Sequence, residues 1–114
     1  DGAVDIVVGS RDGRAQVLMN VAAGDRRRLS VRLLDGSRDA LGATASIEVG
    51  GRTLRRTVKP GYSYCSSSTP SLHFGLGDHQ GPLDVSVRWP NGATESFSIE
   101  EGASSVSLVR GQGR

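Results

Sequence analysis

The chain has 114 residues, a formal net charge of +2, and a content of 36% hydrophobic but only 4% aromatic residues. This length allows one hydrophobic core, which must be built mainly from Val, Leu, Ile and Ala. No apolar run approaches the roughly 18 residues of a membrane-spanning helix, and no basic-then-apolar leader opens the sequence. The sequence begins within an alternating apolar and polar pattern, so we expect a fragment or a processed piece of a longer protein.

The charged residues and the single cysteine exclude several classes of protein. Lys59 is the only lysine among 14 basic residues, and the densest basic run, residues 26–28, is offset by Asp25 and Asp35. That run lacks the interleaved aromatic residues of a nucleic-acid surface, so we predict no nucleic-acid partner and a solvated strand entrance instead. Cys65 alone excludes an internal disulfide and a multi-cysteine metal site.

The first 24 residues predict a β-hairpin. The stretch "DGAVDIVVGSRDGRAQVLMN" contains a strand, a tight turn at residues 11–13 and a second strand, followed by the small-residue joint "VAAGD". An isolated two-stranded hairpin is only marginally stable. We therefore expect it to pair either with the rest of the sheet or with a second copy of the chain in a homodimer.

Residues 25–110 alternate apolar and polar side chains with a period of two, which indicates strands with one buried face. Gly50-Gly51 and Asn91-Gly92 each join two such segments, as primed hairpin turns do, and no stretch of ten residues shows a helical period. We predict an all-β fold, an antiparallel β-sandwich or barrel of about eight or nine short strands with little or no helix, followed by a flexible tail at 111–114. The clearest segments are "RLSVRL" (28–33), "ATASIEV" (43–49), "LDVSVRW" (83–89), "ESFSI" (95–99) and "SVSLV" (105–109).

The hairpin sequence resembles the end of an FG-GAP (VCBS-type) repeat. In that repeat a "DxDxDGxxDL" calcium loop precedes a "VxNxDGxxxLYRN" segment, and the resemblance places Asp1, Gly2 and Asp5 on the last part of the loop. The carboxylates that precede them in the repeat are absent from this sequence, whereas calcium takes six to eight oxygen ligands. We therefore predict no metal and no cofactor.

Residues from about Arg28 to Val109 resemble an ASPIC/UnbV domain, a module that often follows FG-GAP propeller repeats in secreted proteins and in bacterial enediyne biosynthesis clusters. "SRDALGA" resembles the family's "LxGxxSNRxAIGA" opening, "GYSYCSSSTPSLHFGLG" its "GxSYxSQ" and "HFGLG" motifs, and "VRWPNGATESF" its "VxWPxGxxQ" close. The pattern departs at Cys65 and Ser66. The resemblance implies a β-rich module with no established reaction, extracytoplasmic in secreted proteins and cytoplasmic in a biosynthetic cluster.

The stretch "SLHFGLGDHQG" concentrates groups that could carry chemistry. A phosphate-binding glycine loop requires a following helix N-terminus, whereas Pro82 and a strand follow here. His73, Asp78 and His79 are suitable metal ligands by type, but His73 lies within an apparent strand and the other two follow a glycine turn. The nearby serines and Cys65 lack a "GxSxG" elbow or a cysteine-protease signature, so no catalytic residue is predicted.

We interpret this stretch as a connection between two strands. Its glycines should let the chain bend and approach a neighbouring strand closely. Phe74 and Leu76 should fill core volume on the face opposite His73.

The candidate binding residues are the large rings and the polar groups near them. The Tyr-Ser-Tyr alternation predicts that Tyr62 and Tyr64 share a face, and Trp89 is the third large ring, available for the core or for a surface. Together with His73 and Asp78, these are the residues that we expect near a binding loop.

Two functions follow from this sequence, and they differ in class. The first is a non-catalytic interaction or structural module that lies C-terminal to a propeller-like repeat region and contacts a protein. The alternative is an accessory protein of enediyne biosynthesis that binds a hydrophobic polyene-like ligand or performs an unassigned step, and a pocket lined by the tyrosines and Trp89 would favour it. Glycan binding is a third option, although exposed rings beside carboxylates and amides are few.

Overall fold

The computed structural model of the protein describes residues 3–22, 24 and 26–114, and these residues form strands and turns without any helix. The all-β prediction is confirmed, and no helix able to cross a membrane occurs in that part of the chain. The described ranges contain three sheets. In chain order their strands are β1 (Ile6–Val8), β2 (Gln16–Leu18), β3 (Arg27–Asp35), β4 (Arg38–Asp39), β5 (Thr44–Val49), β6 (Arg52–Thr57), β7 (Leu72–Gly77), β8 (Leu83–Arg88), β9 (Thr94–Ile99) and β10 (Ser105–Val109).

The first sheet is the predicted hairpin, in which β1 and β2 pair antiparallel with each other. The bend between them falls at residues 11–13, as expected. Beyond the ladder, the Asn20 backbone N–H donates to the Asp5 carboxylate at 2.8 Å and so ties the open end of the hairpin. Within the described residues neither strand pairs with another sheet, so the hairpin does not extend the remaining sheets.

The second sheet is organised around β3, which has partners along both edges. β10 runs parallel to it, whereas β7 and the short β4 pair with it antiparallel. Because β10 and β7 both pair with residues 30 and 31, they lie on opposite edges of β3. Arg32 in β3 forms a bidentate ion pair with Asp39 in β4, with N–O distances of 2.7 and 3.0 Å, and this hydrogen bonding lowers the pKa of the Asp39 carboxyl.

The third sheet is antiparallel throughout, in the order β6-β5-β8-β9. Its register brings Ser46, Ser86 and Ser96 side by side on the outer face. On the two central strands, β5 and β8, the opposite face is buried and almost entirely apolar, as the period-two alternation predicts.

The second and third sheets form a sandwich with one hydrophobic cluster between them. Phe74 and Trp89 are its largest rings, and both are essentially inaccessible to solvent. The other fully buried large side chains come from the strands and from the residue that follows β6: Leu29, Leu33, Val31, Ile47, Val58, Val85 and Val87.

The two predicted hairpin turns have different geometries. Gly50 and Gly51 both have positive φ, +57° and +72°, which confirms a primed turn between β5 and β6. Between β8 and β9 only Gly92 is left-handed, at +89°, so the primed turn predicted there is wrong. The Gly92 N–H donates to the Trp89 carbonyl at 2.9 Å, and the Asn91 side chain accepts from the Ala93 N–H, so a longer loop ends in a left-handed glycine.

Residues 111–114, which the sequence analysis treated as a flexible tail, lie against β9. The backbones of Arg114 and Ser96 exchange two hydrogen bonds of 2.8 and 3.0 Å. The Glu95 carboxylate accepts from the N–H groups of Gly111 and Gly113, each at 2.9 Å. The segment therefore lies along the β9 edge of the third sheet and connects it to β10 of the second, and we call it the C-terminal clasp.

Candidate functional site

The stretch Ser71–Gly81 contains β7 and the turn that follows it. Leu72, Phe74 and Leu76 are buried in the core, whereas His73 points to the other face. The prediction that Phe74 and Leu76 fill core volume is therefore confirmed. The His79 backbone N–H donates to the Leu76 carbonyl at 3.2 Å and closes the turn that ends the strand.

The glycines of this stretch have two different roles. Arg27 pairs with Gly77 while Arg28 pairs with Gly75, so β7 carries one extra residue here and forms a β-bulge. Gly77 has a φ of +58°, a conformation that glycine adopts without strain. A Cβ added at Gly75 would meet no atom within 4 Å, so the close approach expected there does not occur and the space above it is open.

His73 lies half-buried on the outer face of the second sheet, opposite Ser30 of β3. Burial lowers the pKa of its imidazole, and the positive charges of Arg28 and Arg56 lower it further. The histidine is therefore held in a basic environment that favours its neutral form.

The structure does not place His73, Asp78 and His79 in a common ligand set. Asp78 is exposed, and the Nε2 atom of His79 is buried without a hydrogen-bond partner among the described residues. The part of the chain that the structure describes contains no group of three His, Cys, Asp or Glu side chains suited to a metal ion. Asp1 and Gly2, which the resemblance placed on a calcium loop, lie outside the described residues.

The two tyrosines lie in the long loop between β6 and β7. Tyr62 is 65% exposed and Tyr64 is 93% exposed. The Tyr62 hydroxyl donates to the Thr57 carbonyl at 3.4 Å, and the Lys59 ammonium lies 5.5 Å from the centre of its ring. Both rings are accessible to a partner, but Tyr64 has almost no support from the fold.

Trp89, the third large ring among the candidate binding residues, lies in the hydrophobic core. It is 1% exposed, and its indole N–H has no hydrogen-bond partner among the described residues. Since Tyr62 and Tyr64 are exposed and Trp89 is not, the three rings do not share one accessible surface.

A cleft that the sequence analysis did not anticipate lies between the base of the hairpin and the β3–β7 ladder. It has a volume of about 470 Å³ and we call it the arginine cleft. In the sequence, residues 26–28 indicate only a solvated strand entrance, and the glycines of β7 that face them are the signal that could have indicated a recess. The described residues that line it are Ala3, Val4, Asn20, Ala22, Arg26, Arg27, Arg28, His73, Gly75 and Gly77.

The fold and these surfaces define an all-β sandwich domain that carries an additional β-hairpin. A family model described as ASPIC and UnbV matches residues 34–114. Because the match covers most of the chain, the protein belongs to the ASPIC and UnbV family, and the hairpin lies outside the matched region. No curated protein and no solved structure matches the chain.

Proposed function

We propose that the protein is a non-catalytic β-rich interaction module that lies next to a propeller-like repeat region and contacts its partner through the β1–β2 hairpin. The observation that carries this proposal is the exposure of apolar side chains on both hairpin faces. Ile6 and Leu18, a cross-strand pair on one face, are 57% and 53% exposed. Val7 and Val17, the pair on the other face, are 71% and 60% exposed.

Strands with apolar residues on both faces are typical of sheets that are covered on both sides. A lone hairpin gains too little from its own ladder to offset the exposure of these side chains. The resemblance of this segment to the end of an FG-GAP repeat supports a β-rich repeat as the partner, because stacked propeller blades cover both faces of each sheet.

The test uses a charge pair that keeps the hairpin paired. In the double variant Val7→Lys, Val17→Glu the new charges are opposite each other across the ladder, which is favourable for pairing, but the exposed face becomes polar. The matched control is Ser86→Lys, Ser96→Glu, which places the same charge pair across β8 and β9 on an exposed face.

Association is measured with a purified FG-GAP-type repeat array by calorimetry, and self-association by sedimentation velocity. We expect association with the array, lost in the hairpin variant and retained in the control. The proposal fails if the chain does not bind the array, if it associates only with a second copy, or if the two double variants behave alike.

The alternative, a hydrophobic polyene-like ligand bound by the rings, is not favoured by the positions of those rings. Trp89 is the only tryptophan in the chain and reports on its surroundings by fluorescence. Titration with a conjugated polyene should leave this emission unchanged. A saturable change would favour the alternative.

A further inference from the structure

We propose that the arginine cleft binds a small organic anion, whose carboxylate or phosphate group lies over Gly75 and is held by the guanidinium groups of residues 26–28. This inference goes beyond the interaction role proposed above, because it concerns the sandwich and its junction with the hairpin rather than the partner of the hairpin.

The first support is the charge of the cleft. Its described lining contains Arg26, Arg27 and Arg28 and no carboxylate. Elsewhere in the second sheet an arginine does have an acidic partner, as in the 2.7 Å ion pair between Arg32 and Asp39. None of the three cleft arginines makes an ion pair with a described residue, although Glu101 lines a second recess beside them. Within the cleft itself the described charged side chains are all positive, which favours an anion.

The second support is an unsatisfied guanidinium. The Nη1 atom of Arg27 donates to the Gly81 carbonyl at 2.6 Å, whereas its Nε and Nη2 atoms are buried without hydrogen-bond partners among the described residues. Buried donors without acceptors are costly, and more so when they belong to a charged group. An anion in the cleft would supply acceptors to these nitrogens.

The third support is the shape of the floor. Arg28 is paired with Gly75, and the bulge at Gly77 adds a second glycine beside it. A Cβ at either glycine would meet no atom within 4 Å, so the β7 side of the cleft is vacant above the backbone. Side chains at these two positions would occupy part of the cleft that both glycines line.

The chemistry of the lining indicates the class of ligand. The planar fork of a guanidinium matches the two oxygens of a carboxylate or a phosphate. The volume of about 470 Å³ suits a small organic molecule. Val4 and Ala22 from the hairpin base provide apolar contact on the other side, so the ligand is an anion with a short apolar part that contacts both the hairpin and the sandwich.

The experiment titrates the full chain with inorganic phosphate and, separately, with butyrate, at a constant ionic strength set with sodium chloride. The imidazole signals of His73 and the amide signal of Gly75 are followed by NMR. We expect a saturable change at these two residues with at least one probe, and the probe that saturates identifies whether phosphate or carboxylate is the preferred group. A response to neither probe, or a linear response spread over the whole surface, overturns the proposal.

Two variants test the cleft in independent ways. Arg26→Gln, Arg28→Gln removes charge, and we expect it to weaken binding by about tenfold or more, as loss of charge-assisted hydrogen bonds does. Gly75→Leu leaves every charge in place but fills the open floor, and we expect a comparable loss. If the double variant is unfolded by its amide spectrum, Arg26→Gln alone replaces it, since Arg26 is exposed.

The matched control is Arg88→Gln, which removes an exposed arginine from β8 of the other sheet. It should bind as the unmodified chain does. Equal weakening by Arg88→Gln, or undiminished binding by Gly75→Leu, would mean that the anion responds to net charge rather than to the cleft, and would overturn the proposal.

Discussion

At the scale of single residues, His73 and Gly113 show two effects of close packing. His73 has basic neighbours that lower its pKa, and Gly113 lies so close to β9 that a side chain would not fit. His73 is recognisable in the sequence as the outward residue of an alternating strand, and the structure confirms that orientation. Its basic surroundings were not predictable, because Arg56 lies on β6, a different sheet from His73, and only the three-dimensional fold brings its charge near the imidazole. Gly113 lies in a segment without any apolar pattern, so its contact with β9 had no sequence signal.

The lowered pKa of His73 predicts a pH dependence of stability. Its ordinary value is 6.5, and the unfolded chain therefore takes up a proton at this residue more readily than the folded chain does. The folded state should lose stability as the pH falls through 6.5 towards the lower pKa of the folded protein. We expect the free energy of unfolding, measured with urea at a series of pH values, to fall less steeply in His73→Gln over this window.

The other histidine provides the control for that measurement. His79→Gln should retain the slope of the unmodified protein because it leaves His73 in place. A slope in His73→Gln as steep as that of the unmodified protein would contradict the prediction.

Gly113 gives a second prediction at the residue scale. A Cβ at this position would lie 2.9 Å from both the Glu95 Cβ and the Phe97 ring, so Gly113→Ala should displace the C-terminal clasp. Overpacking of this kind costs about 1–3 kcal/mol, to be measured by urea unfolding. The control is Gly61→Ala, since a Cβ there meets no atom within 4 Å and the residue has no left-handed φ; equal effects of the two changes would contradict the prediction.

At the scale of elements, strands with one buried face were predictable and the irregular connections were not. β3, β5, β8, β9 and β10 coincide with the alternating segments to within one or two residues, because burial of one face imposes a period of two on the sequence. The bulge in β7 and the loop after β8 were missed, since both depend on which residues face each other across a ladder. Among the candidate binding residues, Tyr62 and Tyr64 have exposed rings, whereas Trp89 lies in the core.

The primed turn between β5 and β6 can be tested by a change of one residue. Both Gly50 and Gly51 are left-handed, and a Cβ at either would meet no atom within 4 Å, so only backbone strain opposes a side chain there. Gly50→Asn should be nearly neutral, because Asn-Gly favours this turn. Gly50→Val should destabilise the protein by about 1–2 kcal/mol in urea unfolding, and identical stabilities of the two variants would argue against a primed turn.

At the scale of the whole molecule, no β-ladder joins the hairpin to the sandwich within the described residues. The sequence allows the hairpin either to complete the sheet or to pair with a second copy, and the ladders exclude the first arrangement for the described part of the chain. The two strands of the hairpin and the bend between them were predictable from the sequence, whereas the arginine cleft combines residues of the hairpin base, β3 and β7 and is seen only in the folded chain.

Removal of residues 1–24 is therefore expected to leave the sandwich folded. Because no ladder joins the two parts, the free energy of unfolding should change by less than about 0.5 kcal/mol, as for changes remote from a core. Urea unfolding followed by Trp89 fluorescence measures this, since Trp89 lies in the sandwich core. A loss of several kcal/mol would show that the hairpin supports the sandwich.

The parallel pairing of β10 with β3 has a consequence for biosynthesis. β3 is among the earliest strands of the sandwich to leave the ribosome, yet the residues that pair with it on one edge follow 75 positions later in the chain. Contacts so distant along the chain form slowly. One edge of β3 therefore stays unpaired in the nascent polypeptide until β10 has been synthesised.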